Sequence, residues 1–304
     1  MNSRISQVFR PGQLIYSQMK HLSSVGTGKQ LYETLAVTVS KPFVYSVQLN
    51  RPKRLNALNE TMWQEINCCF KELADDANCR VIILSGAGKA FCAGLDLESA
   101  ISFGQGLGEH EDVARKCKFL EKKIKLCQES LTSIEQCPKP VIAAAHGASV
   151  GGGVDMLCAA DMRYCSSNAW FQIKEVELGM TADVGTLQRL PKIIGCSSLI
   201  RELAYTGRKF LSNEALLCGF VNKLFDDENS LMAAALDIAE QIANASPVAV
   251  QGTKISLNYS RDHTVQEGLD HIAMRNQVML QSEDFVNATV ALATKGDPPV
   301  FSKL

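Results

Sequence analysis

Three acids, Asp155, Glu175 and Asp183, follow a run of glycines, Gly151-Gly152-Gly153. Asp155 and Asp183 stand among apolar neighbours: Val154, Met156 and Leu157 for the first, Ala182 and Val184 for the second. A carboxyl in apolar surroundings prefers its neutral form. Its pKa then rises toward the range where it can carry protons. The plainer alternative is that each acid is exposed or paired with a base such as Lys174 or Arg189. Glu177 is left with that plainer reading. A second glycine turn, Gly94-Leu95-Asp96-Leu97, follows Lys89-Ala90-Phe91-Cys92-Ala93. Glycine lets backbone N–H groups approach a ligand, and a helix start presents N–H groups without partners. Two such turns meeting in space form an oxyanion hole. Taken singly, each is an ordinary tight turn. Neither is a G-x-G-x-x-G or Walker A loop, so dinucleotide and P-loop readings lose support.

These residues need strands and helices to place them. Residues 43–49 alternate Phe43, Tyr45, Val47 and Leu49 against smaller or polar residues, which predicts a strand. Asn59 caps a predicted helix carrying Met62, Ile66, Phe70 and Leu73 on one face. Residues 80–85 read as a short buried strand. Residues 112–137 read as a long amphipathic helix with the stripe Val113, Cys117, Leu120, Ile124, Cys127, Leu131 and Ile134. Its other face is rich in Lys and Glu. Pro138-Lys139-Pro140 ends it, and residues 141–145 form a buried strand. The triple glycine opens a helix from Val154 to Ala160. Short strands are predicted over 162–165, 170–173 and 220–225. Beyond residue 230 the pattern is helical throughout. Alternating strands and helices followed by helices alone give an α/β core with an α-helical C-terminal part.

Composition narrows the function classes. The chain has 304 residues, 46% hydrophobic and 21% charged, with a formal net charge of −1. That balance excludes a disordered chain and lends no support to a nucleic-acid surface. No apolar run reaches the length of a membrane span. The eleven cysteines include no C-x-x-C pair, and the five histidines do not cluster with them. They read as reduced packing residues rather than as a metal site. The ends differ from the body. Residues 1–32 hold Arg4, Arg10, Lys20 and Lys29, interleaved with serines and with no acid, the composition of a mitochondrial presequence. Ser302-Lys303-Leu304 reads as a peroxisomal address after an exposed Gly296-Asp297-Pro298-Pro299 stretch.

At the glycine turns and acids the sequence resembles the enoyl-CoA hydratase/isomerase (crotonase) superfamily. The carriers are RPKRLNAL (51–58), SGAGKAFCAGLDL (85–97), PKPVIAAAHGASVGGG (138–153) and GTLQRLP (185–191), in family order over residues 35–260. The resemblance implies an α/β fold, a spiral of repeated strand-strand-helix units with an α-helical C-terminal trimerisation region. With the composition of the ends and the pattern of elements, it divides the chain into a leader (1–32), a spiral core (33–228), a helical region (229–296) and a tail (297–304). It implies an acyl-CoA thioester substrate, with coenzyme A part of that substrate and no metal or redox cofactor required. Leu95 and Gly152 would supply the oxyanion N–H groups. Gly94, Leu95, Asp96, Leu97, Glu98 and Gly153 would line the acyl site. Arg54 and Ala57 lie in the segment that approaches the CoA nucleotide.

The acids select within the family. Hydratases of the family place glutamates at positions matching Asp155 and Glu175, and a glycine where Asp183 stands. The set Asp155, Glu175 and Asp183 resembles instead that of an isomerase moving a 3,5-diene into conjugation with the thioester. Glu175 and Asp183 are then the proton-transferring pair, with Asp155 a modulating third group. A water-adding hydratase and a non-catalytic CoA-thioester-binding scaffold remain the alternatives. Homotrimers or hexamers, and an import receptor reading Ser302, Lys303 and Leu304, are the expected partners. The expected compartments are peroxisome and mitochondrion.

Overall fold

The structure, a computed structural model, describes residues 32–304. The leader expected over 1–32 therefore lies outside the described residues but for Tyr32. The main sheet starts with two antiparallel strands, β1 (Leu35–Lys41) and β2 (Val44–Leu49). It continues with parallel strands β3 (Val81–Gly86) and β4 (Val141–Ala145). Strands β6 (Met162–Ser166) and β9 (Lys223–Phe225) complete the six-stranded order β1-β2-β3-β4-β6-β9. A second, three-stranded sheet is built from β5 (Ala148–Val150), β7 (Trp170–Gln172) and β8 (Phe210–Leu211).

Residues of β3 and β4 are buried without exception, so these strands read as unbroken apolar runs rather than as alternations. The alternation in β2 sorts its side chains to two cores. Tyr45, Val47 and Leu49 enter the large core between the sheets, while Val44 faces a smaller one with Val81, Ile83, Ile142 and Ala144. The large core is closed by α1 (Glu60–Asp75), whose Asn59 cap accepts the Met62 N–H at 2.9 Å. Met62, Ile66, Phe70 and Leu73 of α1 are buried.

Two helices follow β3: α2 (Leu97–Gly108) and α3 (Val113–Gln136). The predicted stripe of α3 is buried only at Leu131 and Ile134, and Val113 is 75% exposed. Periodicity marks an apolar face there, but the first turns project beyond the body that would cover it. After β5 comes α4 (Gly152–Ala159), starting two residues earlier than predicted. Three short helices, α5 (Thr186–Arg189), α6 (Ser197–Thr206) and α7 (Ser212–Leu217), link the sheets. Phe220, expected to open the last strand, is instead a buried core residue ahead of β9.

The helical region is α8 (Glu228–Ala243), α9 (Pro247–Ser260), α10 (Val265–Met279) and α11 (Glu283–Thr294). Helix α8 covers the second face of the main sheet. It presents Leu231, Ala235, Ala239 and Ala243 at four-residue spacing, and the small side chains let its backbone approach the strands. Six of the eleven cysteines (Cys69, Cys79, Cys92, Cys137, Cys158 and Cys165) are buried, and none of the eleven is in a disulfide.

Candidate active site

The first glycine turn is held from both sides. Leu58 N–H donates to Gly94 O at 2.7 Å, and Asp96 N–H donates to Leu58 O at 3.2 Å. In this parallel bridge both polar groups of Leu58 are used, so the Leu95 N–H points away from it. On the other side Cys92 bonds β5, accepting from Val150 N–H at 2.9 Å. Gly94 has φ +87°, and a Cβ there would lie 2.8 Å from Val150 O. Only glycine fits both the backbone and the space.

The second turn follows Val150 directly. Gly151 has φ +50°, and Gly152 is the first residue of α4. As a helix-start amide, Gly152 N–H has no acceptor within its own helix, and it sits at the positive end of the helix dipole. The amides of Leu95 and Gly152 thus come from adjoining turns with their own strand and helix bonds not competing for them. Gly153 packs on Cys92, where an added Cβ would lie 2.9 Å from the carbonyl.

The acids gather round the second turn. A Cβ on Gly151 would stand 3.0 Å from Glu175 Oε1, which places that carboxylate directly beside the turn. Glu175 opens a one-turn 3-10 helix, Glu175–Leu178. It is buried, and its Oε2 has no hydrogen-bond partner among the described residues. Burial pushes the Glu175 carboxyl above the usual glutamate range, and the neighbouring Asp183 adds to the push. Burial likewise raises the half-buried Asp183.

Asp155 lies deeper, fully buried on α4. Its Oδ1 accepts the Thr186 N–H at the start of α5, and its Oδ2 is unpartnered among the described residues. Burial pushes it up to about 7; the Thr186 hydrogen bond opposes this and the Glu175 charge assists it. The bases named as possible partners are engaged elsewhere. Lys174 pairs with Glu177 at 3.2 Å, and Arg189 pairs with Glu135 at 3.1 Å. Like charges oppose one another's ionisation here: the Glu175 charge pushes Asp155 up, and the Asp183 charge pushes Glu175 up.

The remaining predicted residues fall into two groups. Gly94, Leu95, Gly152 and Gly153 form the paired turns. Asp96, Leu97, Glu98, Arg54 and Ala57 lie on the flank. Asp96 is buried and caps α2: its Oδ1 accepts the Glu98 N–H at 3.0 Å, and its Oδ2 pairs with Arg51 at 2.8 Å. Leu97 is 75% exposed, and Arg54 and Glu98 form a surface ion pair at 2.5 Å. Ala57 is half-buried, and its carbonyl accepts from Arg51. Two further residues carry no signal in the sequence. Thr186 contributes only a backbone N–H, and Gln128 reaches the Asp183 carbonyl with its amide at 2.7 Å.

A two-sheet α/β body with adjoining amide turns and a cluster of desolvated acids is the crotonase architecture. A family model described as enoyl-CoA hydratase/isomerase matches residues 40–302, and the chain belongs to that family. Among solved structures, an enoyl-CoA hydratase from Bacillus anthracis is 29% identical, with a TM-score of 0.79 over 88% of this chain and 98% of that one. Among curated relatives, the mitochondrial delta(3,5)-delta(2,4)-dienoyl-CoA isomerase of Mus musculus is 48% identical over 276 residues, 90% of this chain and 84% of that protein. The peroxisomal delta(3,5)-delta(2,4)-dienoyl-CoA isomerase of Arabidopsis thaliana is 46% identical over 261 residues, 86% of this chain and 93% of that protein.

Proposed function

We propose that the chain isomerises 3,5-dienoyl-CoA to 2,4-dienoyl-CoA in the oxidation of unsaturated fatty acids. The observation that carries this is Asp183 beside Glu175: burial raises the proton affinity of both acids, the Asp183 charge raises that of Glu175 further, and Glu175 lies against the Gly151 turn. The names of the relatives support the same reaction.

The chemistry needs both acids. Leu95 and Gly152 N–H groups take the thioester oxygen, so that removal of the C2 proton leaves an enolate stabilised by fixed donors. The pair from the C2–H bond forms the C2–C3 double bond, the C3–C4 pair moves to C4–C5, and the C5–C6 pair takes up a proton at C6. One carboxylate takes the C2 proton and one carboxylic acid gives the C6 proton. A single short carboxyl cannot reach both carbons. Glu175 and Asp183 are this pair, and Asp155 tunes them from behind. The flank of Arg54 and Ala57 would meet the CoA nucleotide, with no further cofactor needed. Asp155 argues against a hydratase: its one hydrogen-bonded oxygen is already taken by Thr186 and it has no access to water. A pure binding scaffold gains nothing from desolvating three acids.

The helical region exposes Leu257, Val265, Leu269, Met274 and Val278, which fits assembly as a homotrimer or a pair of trimers. Light scattering tests it. The relatives' names, the basic leader and Ser302-Lys303-Leu304 support residence in mitochondrion and peroxisome. A fluorescent fusion lacking residues 1–30, or one lacking 302–304, tests each address by its change of compartment.

The decisive assay follows a defined 3,5-dienoyl-CoA by ultraviolet absorbance. Asp183→Asn is expected to lower kcat by about 10²–10⁴-fold, the usual contribution of a general acid or base, with the fold intact by circular dichroism. Turnover like that of the unaltered chain sinks the assignment, as does crotonyl-CoA hydration faster than isomerisation.

A further inference from the structure

Asp183 sits on an irregular stretch between the 3-10 turn and α5, so no helix or strand fixes its direction. Two side chains do this through the backbone. Gln128 of α3 donates Nε2–H to the Asp183 carbonyl at 2.7 Å, and its own Oε1 accepts from Lys125 Nζ at 3.2 Å, which sets which way the amide faces. Arg189 donates to the next carbonyl, Val184 O, at 3.3 Å. Arg189 is itself clamped by Glu135, through Nε at 3.2 Å and Nη2 at 3.1 Å, and it reaches Thr132 Oγ1 at 3.1 Å. Arg261, following α9, pairs with the same Glu135. Burial alone would raise the Glu135 carboxyl, but the two guanidiniums outweigh it and hold it below the usual range. These groups line a polar cleft of about 370 Å³ beside Asp183.

We propose that Gln128 is a positioning residue for Asp183, fixing through its carbonyl the direction in which that carboxyl meets the substrate. The proposal rests on the isomerase reading above. Arg189 and Glu135 hold up several elements at once, so their loss would disturb the fold. Gln128 is half-buried and gives the loop one hydrogen bond, which makes it separable. It touches no reacting atom, so its effect has to pass through Asp183.

The test is a double-mutant cycle on the full chain with Gln128→Met, which keeps the side chain's length and removes the donor. Alone, the variant is expected to lower kcat about tenfold, the size of a coupling between adjacent groups. KM should stay within about twofold, since a carboxyl misaimed by a fraction of an ångström still leaves the binding turns in place, and the thermal midpoint should fall by no more than a few degrees, the worth of one hydrogen bond. In an Asp183→Asn background the same change should cost less than about twofold, because the group it aims is already gone. Undiminished kcat in Gln128→Met, with Asp183→Asn impaired, overturns the positioning role and leaves the isomerase reading standing. A tenfold loss repeated in the Asp183→Asn background also overturns it, since the effect is then not routed through Asp183. Full activity of Asp183→Asn alone would instead remove the reading on which the proposal rests.

Discussion

Asp155 is held so that folding itself raises its affinity for a proton. Burial pushes its carboxyl up to about 7, whereas the unfolded chain titrates it near about 3.9. Between those values the folded protein binds a proton that the unfolded chain has released. The group's stabilising contribution is therefore complete below about pH 4 and is lost as pH rises through about 7. Asp155→Asn keeps an oxygen for the Thr186 N–H and cannot ionise. The amide that replaces the unpartnered Oδ2 is equally unpartnered, so the cost of burying a polar atom changes little. Denaturant midpoints at pH 5 and pH 8 are expected to lie closer together in the variant. At pH 8 the variant should be more stable than the unaltered chain by a few kcal/mol, because a tenfold change in proton affinity is worth about 1.4 kcal/mol. An unchanged difference between the two pH values would show that Asp155 does not titrate with folding. Sequence conveys the apolar neighbours of this residue, and hence the direction in which its proton affinity moves. It cannot convey the Thr186 N–H, because that partner is a backbone group brought in by tertiary packing 31 residues away.

At the scale of elements, the amide turns proposed as the oxyanion hole depend on glycine at one point above all. Gly94 combines a left-handed φ with backbone contact to Val150, so Gly94→Ala forces the segment off β5 and carries the Leu95 amide with it. Removal of one oxyanion donor costs about 10²–10³-fold in kcat, and a loss of about 10²-fold is expected here. Gly104→Ala is the control: it lies inside α2 with nothing within 4 Å of its Cβ and should leave kcat alone while stabilising the helix by up to about 1 kcal/mol. Equal kcat in the two variants would break the link between Gly94 and the oxyanion amide. The glycine runs are legible as turns from composition alone. That the two turns adjoin comes from the resemblance, because nothing local says which strands pair. Helix α1 is legible because its Asn59 cap and apolar repeat agree. Helix α2 is not, since Leu97–Gly108 carries three glycines and two serines and has low intrinsic helix propensity.

Across the whole molecule, the chain end and the sheet meet at Arg80, a buried cation at 6% exposure. Its guanidinium lies 4.0 Å from the Phe43 ring centre and donates to Ala243 O at the end of α8. It also donates to Phe301 O at 2.6 Å and Ser302 O at 3.0 Å, while Lys303 reaches Asn78 Oδ1 at 2.7 Å. The stretch before this end is exposed over 296–298, as expected, but residues 301–303 are tethered. The residues read as an address thus double as an anchor for the sheet's first parallel strand. Ending the chain at Val300 removes both acceptors of Arg80 Nη2 and opens its site to water. Hydrogen bonds to a charged group are worth about 1.5–3 kcal/mol. Water recovers part of that, so a thermal midpoint lower by a few degrees is expected. Turnover should be unchanged, since neither acid of the proposed proton-transferring pair touches Arg80. Lys303→Ala removes only a surface contact and should shift the midpoint by less than a degree or so. If the truncated chain melts with the full one, the tail contributes nothing to the fold, and Arg80 is held by Ala243 and Phe43 alone.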